Sequence, residues 1–374
     1  MNNKITIEQF EKSKRIVIKI GSSLIVDQKN NSIKESWLLS LASDVSLLKN
    51  NGKDVVIVSS GSIALGRRIL NLSNKLLQLE ESQAAAAVGQ IYLANAYKKI
   101  LSKFNLITGQ ILVTSEDSQN RKRYLNTRST FATLLNYGVV PIVNENDTVA
   151  TDEIKFGDND RLASQVASIC DANMLILLSD VDGLYTSNPK KYKDAKHIEK
   201  VVNLSKEIHN FADESDSIYS KGGMKTKIDA AKFAMSSGIS LVITEGTKEH
   251  SILNLLNGQK CTWFLPTGDV QTSRKQWILS NKAKGKIFID KGAKIALQNG
   301  KSLLPAGIIK TEGSYKRGDT VEILSEHSES IGKGLICYNS LEVNLIKGCQ
   351  SNKIKEVLGH VGRSVLIHRD DLAM

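Results

Sequence analysis

Up to about residue 260, short apolar runs rich in β-branched residues alternate with longer stretches in which apolar positions return every three or four residues. The short runs predict strands at Arg15–Ile20, Asp54–Val58, Leu106–Val113, Val139–Val143, Met174–Leu178 and Ser240–Ile243. The longer stretches predict helices around 36–50, 61–71, 76–103, 122–136, 161–170, 223–236 and 247–256. Strands that alternate with helices build a mostly parallel sheet covered by helices, so the expected fold class is α/β, a three-layer αβα sandwich. After Pro266 the texture changes, because short apolar runs are punctuated by Gly292, Gly300, Gly307, Gly313, Gly318, Gly332 and Gly334. That spacing predicts a small β-rich C-terminal domain. The expected organisation is residues 1–262 as the α/β domain, 263–282 as a polar linker and 283–374 as the small domain.

A chain of 374 residues with 41% hydrophobic content is long enough for two cores. No run approaches the eighteen apolar residues of a membrane span, and Met1-Asn2-Asn3-Lys4 has no signal-peptide core, so a cytoplasmic location away from membranes is expected. The cysteines Cys170, Cys261, Cys337 and Cys349 lack the paired spacing of a zinc site or disulfide framework and read as reduced, mostly buried residues. The net charge of +11 raises the question of nucleic acid. The excess is spread out, with +4 from Ala283 onward and +7 before it; Arg121-Lys122-Arg123 is the nearest approach to a basic run. RNA is therefore not expected as the main partner.

The densest polar chemistry follows the fourth predicted strand. Asn144-Glu145-Asn146-Asp147-Thr148 and then Gly157-Asp158-Asn159-Asp160 carry amides and carboxylates out of the end of an apolar run. In open α/β sheets ligands sit at that end. Acids packed this closely call for a substrate ammonium, lysines or a metal ion as partners, while a solvated loop with Asx turns is the competing description. Other strands end in similar equipment. Lys19-Ile20-Gly21-Ser22-Ser23 sets a point charge beside backbone N–H groups suited to an anion, without the Walker A spacing. Val58-Ser59-Ser60-Gly61-Ser62 offers hydroxyls for a carboxylate or phosphate, or else a helix N-cap at Ser60. Ser179-Asp180 could hold a nucleotide or open an Asp-Gly turn. Ser220-Lys221-Gly222-Gly223-Met224-Lys225-Thr226-Lys227 could cover polyphosphate or remain a solvated loop.

None of the six histidines and no cysteine lies in these segments, which disfavours Cys/His nucleophilic catalysis and histidine-ligated metal. Glycine N–H groups, lysines and acids are the equipment of phosphoryl transfer, where positioning and charge neutralisation supply most of the rate. An acceptor that is already an anion needs no general base, so an acyl-phosphate-forming reaction suits this set.

In order along the chain, Val17 to Ser23, Val56 to Ala64, Ala86-Ala87-Val88-Gly89-Gln90, Tyr124 to Arg128, Asn144 to Asp160 and Gly222 to Lys227 resemble the amino acid kinase family, in particular its members that act on glutamate. Ser302 to Ile308 and the ending His368-Arg369-Asp370-Asp371 resemble the PUA domain that many such members carry. The resemblance implies ATP-dependent phosphorylation of the γ-carboxylate of L-glutamate, the first step of proline biosynthesis. It also implies that Lys19 and Lys227 neutralise the transferring phosphoryl group, with Asp160 holding both, and that Ser60, Asp147 and Asn159 bind glutamate. ATP would be held by Lys19, Gly21, Ser179, Asp180, Lys221, Gly222, Gly223, Met224, Lys225, Thr226 and Lys227. Mg²⁺ would ride on ATP through phosphate and water oxygens, with no direct protein ligand. A homo-oligomer (dimer or tetramer), feedback inhibition by L-proline and a downstream glutamyl phosphate reductase are further implications. Ser220 and Lys221 depart from the family loop, where glycine and threonine are usual, so the backbone of Gly222 and Gly223 is the expected contact there.

Overall fold

The computed structural model describes residues 2–27, 32–72, 77–114, 117, 120–149, 159–189, 191–205, 208, 211, 223–268 and 270–374. They form two compact units, Met1–Gln119 with Asn126–Val270, and Asn120–Leu125 with Gln271–Met374. In the first unit, eight strands lie in one sheet: β1 (Arg15–Ile20), β2 (Asp54–Ser59), β3 (Thr108–Val113), β4 (Val140–Glu145), β5 (Met174–Ser179), β8 (Lys200–Val201), β9 (Ser240–Glu245) and β10 (Cys261–Phe264). Their order is β3-β4-β2-β1-β5-β9-β10-β8. Every pairing is parallel except that of β9 with β10. A two-residue pair, β6 (Leu184–Tyr185) with β7 (His197–Ile198), stands apart.

Consecutive strand residues face opposite sides of a sheet. In β1 both sets are buried, Ile16, Ile18 and Ile20 on one side, Val17 and Lys19 on the other. The first set packs with Leu38, Leu41 and Val45 of helix Glu35–Asn50. This double burial explains why the sequence runs apolar without alternation. Because β2 and β5 flank β1 on opposite sides, the chain order reverses at β1, which opens a crevice at the carboxyl ends of the strands.

Two helices beside that crevice touch backbone to backbone. A Cβ on Gly66 would lie 1.8 Å from the Ala85 carbonyl oxygen, and one on Gly89 1.8 Å from that of Ser62. Glycine alone permits this contact between helices Ser62–Ile69 and Leu79–Leu101. Ala85, which supplies the first of these carbonyls, is itself fully buried.

The second unit holds a five-stranded sheet, β11 (Gly285–Ile289), β12 (Ile308–Gly313), β13 (Thr320–Ser325), β14 (Ser330–Leu335) and β15 (Leu372–Ala373), in the order β12-β11-β13-β14-β15. Its core gathers Ile287, Ile289, Val321, Ile323, Ile336, Leu366 and Ile367. Helices Lys291–Gln298 and Ser340–Ile346 also occur in it, at places where sequence periodicity suggested only strands and turns. Residues 263–282, expected as a linker, differ from that expectation. Trp263 and Phe264 are fully buried in β10, and Val270–Ser280 is helical. Helix Asn2–Lys12 was not predicted either. Among the described residues no helix is long and apolar enough to cross a membrane.

Candidate active site

Lys19, next to last in β1, is buried with its ammonium aimed beyond the strand end at Asp160. Asp160 is fully buried in the first turn of helix Asn159–Ile169. Lys19 Nζ lies 2.6 Å from Asp160 Oδ1, and Lys227 Nζ, from helix Met224–Ser236, lies 3.2 Å from Oδ2. Thr226 Oγ1 is 2.9 Å from the same Oδ2 and 2.9 Å from the Gly223 carbonyl oxygen, its two available acceptors. Burial pushes the Asp160 carboxyl up, but the two ammonium groups and the hydrogen bonds from Lys19 and Thr226 outweigh it, and the group is held below the usual carboxylate range. One carboxylate thus fixes two ammonium groups at the strand ends. A phosphoryl group placed there meets positive charge that needs no rearrangement.

A second polar group adjoins this cluster through Asn159. Its amide Nδ2 donates to Ser60 Oγ, so the serine at the end of β2 is tied to the residue before Asp160. Ser60 is not a helix cap: the cap of helix Ser62–Ile69 is Gly61, which makes no side-chain capping bond. Gly61 has φ +115°, a backbone conformation that L side chains rarely adopt. That turn sends Ser60 and Ser62 toward different partners. Ser62 Oγ donates to Asp147 Oδ2 at 3.3 Å, and Asn144 Nδ2 approaches both Ser62 Oγ (3.2 Å) and Gln90 Oε1 (2.7 Å). Burial pushes the Asp147 carboxyl up to about 6, with the Ser62 hydroxyl pulling the other way. A partly buried carboxylate with no cation beside it in these contacts is suited to a ligand ammonium. Asp147 also lines a cavity of about 270 Å³ with Gln90, Gln110, Glu145, Asn146 and Thr148 among the polar residues of its wall.

The profile of the amino acid kinase family matches residues 14–245. The chain belongs to that family. A PUA domain profile matches residues 285–358, the β-rich second unit. The chain is 52% identical over 359 residues to "Glutamate 5-kinase" of Dinoroseobacter shibae, covering 96% of this chain and 98% of the relative. It is 52% identical over 362 residues to the protein of the same name in a Ruegeria species, covering 97% and 98%. A solved structure, "Carbamate kinase from Giardia lamblia bound to AMP-PNP", is 18% identical and superposes with a TM-score of 0.48 over 68% of this chain and 99% of that one.

Of the residues singled out from sequence as family positions, Lys19, Asp160 and Lys227 come together, and Ser60 joins Asn159 beside them. Asp147 sits in the neighbouring group around Ser62. Ser179 ends β5 and donates to the exposed Asp180 at 3.2 Å; Gly21 precedes the short helix Ser22–Ile25. Gly223, Met224, Lys225 and Thr226 open the helix that carries Lys227. Lys221 and Gly222 lie outside the described residues. Among the described residues no group of three or more His, Cys, Asp or Glu side chains is placed to hold a metal ion. Sequence reasoning did not single out Ser62, Asn144 and Gln90 as site residues, although each lies inside a segment it had marked. Only tertiary packing brings the three together.

Proposed function

We propose that this chain transfers the γ-phosphoryl group of ATP to the γ-carboxylate of L-glutamate, releasing ADP and L-glutamyl 5-phosphate, the first step of proline biosynthesis. The observation that carries the mechanism is the pair of ammonium groups held 2.6 and 3.2 Å from the two oxygens of Asp160. In this reading Lys19 and Lys227 flank the phosphoryl group in flight. A γ-carboxylate oxygen forms the new bond to phosphorus as the bond to the bridging oxygen of ADP breaks. The acceptor is already ionised, so no proton is removed and no general base is required. Charge on the phosphoryl oxygens and on the departing ADP is met by groups fixed beforehand, which is the main source of rate in this chemistry.

Ser60, Asn159 and Asp147 hold the amino acid, with Asp147 taking its ammonium group. Gly21, Ser179, Asp180 and the segment 221–227 border the nucleotide. Both oxygens of Asp160 are engaged by lysine and threonine groups, which fits a Mg²⁺ ion carried on ATP's own phosphate oxygens rather than on this carboxylate. That ion, when bound, would neutralise charge on the β- and γ-phosphates.

The test is ADP release with hydroxylamine present to trap the acyl phosphate as a hydroxamate. L-Glutamate is run beside L-aspartate, N-acetyl-L-glutamate and UMP. Hydroxamate formed with glutamate well above the other acceptors is the expected result. Equal or greater turnover of N-acetylglutamate would remove the assigned role of Asp147, and no glutamate turnover would remove the reading.

A further inference from the structure

The hydrogen-bond chain behind Asp147 has a direction, and Asp147 itself sets it. An ionised carboxylate accepts hydrogen bonds and donates none. The Ser62 hydroxyl, 3.3 Å away, must therefore spend its single hydrogen on Asp147. Its oxygen is then left to accept, so Asn144 turns its NH₂ group to it, at 3.2 Å. Asn144 is almost fully buried at the end of β4, and the second hydrogen of the same NH₂ goes to Gln90 Oε1 at 2.7 Å. Gln90 is thereby fixed as an acceptor on its Oε1 side, and its own NH₂ must point elsewhere. Among the described residues that Nε2 has no hydrogen-bond partner, and Gln90 lines the cavity of about 270 Å³ whose wall also carries Asp147. The residue before it, Gly89, seats the helix directly on the Ser62 carbonyl, so Gln90 and Ser62 keep a set spacing. One cavity wall thus presents an acceptor of positive charge and a donor oriented by the same relay.

From this arrangement we infer that Gln90 is a specificity-determining residue: its side-chain NH₂ binds the α-carboxylate of the amino acid whose α-ammonium pairs with Asp147. The inference rests on the proposed glutamate reaction. It assigns the site a requirement for a free α-carboxylate alongside a free amine, in addition to the side-chain carboxylate that receives phosphate.

L-Isoglutamine, glutamate with its α-carboxylate replaced by a carboxamide, keeps the ammonium and the accepting γ-carboxylate and serves as the probe. Steady-state kinetics are measured for wild type, Gln90→Ala and Gln90→Glu with both acceptors, and thermal melting is recorded for each variant. Wild type is expected to favour glutamate. Gln90→Ala should lower kcat/KM for glutamate by about 10- to 100-fold, the range for a hydrogen bond to a charged group, mainly through KM. Its kcat/KM for isoglutamine should fall less, by about 2- to 10-fold, the range for a hydrogen bond to a neutral carbonyl oxygen. Gln90→Glu, close in shape, should shift preference toward isoglutamine, because a carboxylate repels the α-carboxylate and accepts from the carboxamide. Equal losses for the two acceptors in both variants, or an unchanged preference, would overturn the assignment. A wild-type protein that phosphorylates neither acceptor would instead overturn the reaction on which it rests, an outcome read from the wild-type protein alone.

Discussion

Replacing Asp147 with asparagine should make the substrate-free protein more stable while weakening its hold on glutamate. Burial moves the Asp147 carboxyl from 3.8 to about 6. The native state therefore binds this proton more tightly than the unfolded chain. Well below pH 3.8 the group is protonated in both states and contributes nothing. As pH rises from 3.8 to about 6, the unfolded chain releases the proton before the native one, so stability falls; above that window the whole cost is present. At about 1.4 kcal/mol per unit, the cost at pH 7 is about 3 kcal/mol. Asparagine keeps the shape and can still accept from Ser62, but carries no charge to desolvate. Urea unfolding of wild type and Asp147→Asn can be followed by the fluorescence of Trp37 and Trp263, both buried in the first unit. The variant should be more stable by about 3 kcal/mol at pH 7, with the difference shrinking to about 0.5 kcal/mol near pH 4. Saturating glutamate should narrow the gap at pH 7, because the ligand ammonium offsets the same cost in wild type only. A difference that ignores pH, or a variant less stable at pH 7, would refute the argument.

Two further outcomes follow from the same geometry. Since the free protein needs Asp147 ionised to receive an ammonium, kcat/KM for glutamate should fall about tenfold per pH unit below about 6; the pH profile of Asp147→Asn, low throughout, should lack that limb. Asp160→Asn leaves two buried ammonium groups without the carboxylate that holds them, and should cost about 3–5 kcal/mol of stability, read by thermal melting against wild type.

The parts of this molecule that follow from local pattern were legible in its sequence. The strands β1, β2, β4, β5 and β9 are continuous apolar runs because both faces of the sheet are covered, and their polar ends could be read as the side of the crevice. Distance between side chains was not legible. Lys227 is 67 positions from Asp160, and Asn144 is 54 from Gln90, separations across which no periodicity acts. The resemblance to the amino acid kinase family supplied the first of these pairs, while the relay through Ser62 and Asn144 emerged only from packing. Thr226, expected among the nucleotide contacts, has its hydroxyl between Asp160 and Gly223, a placement that no local pattern announces. The antiparallel strand β10 straddles the boundary expected at residue 262, so its last two residues, Trp263 and Phe264, fell in the presumed linker.

In the proposed reaction Lys19 and Lys227, held by Asp160, act on the phosphoryl group during transfer rather than on substrate binding. Single-turnover transfer from γ-labelled ATP, with glutamate affinity measured separately by calorimetry, tests it directly in Lys227→Ala. The transfer rate is expected to fall by about 10²- to 10³-fold with glutamate affinity nearly unchanged. A wild-type transfer rate accompanied by weakened glutamate binding would contradict it.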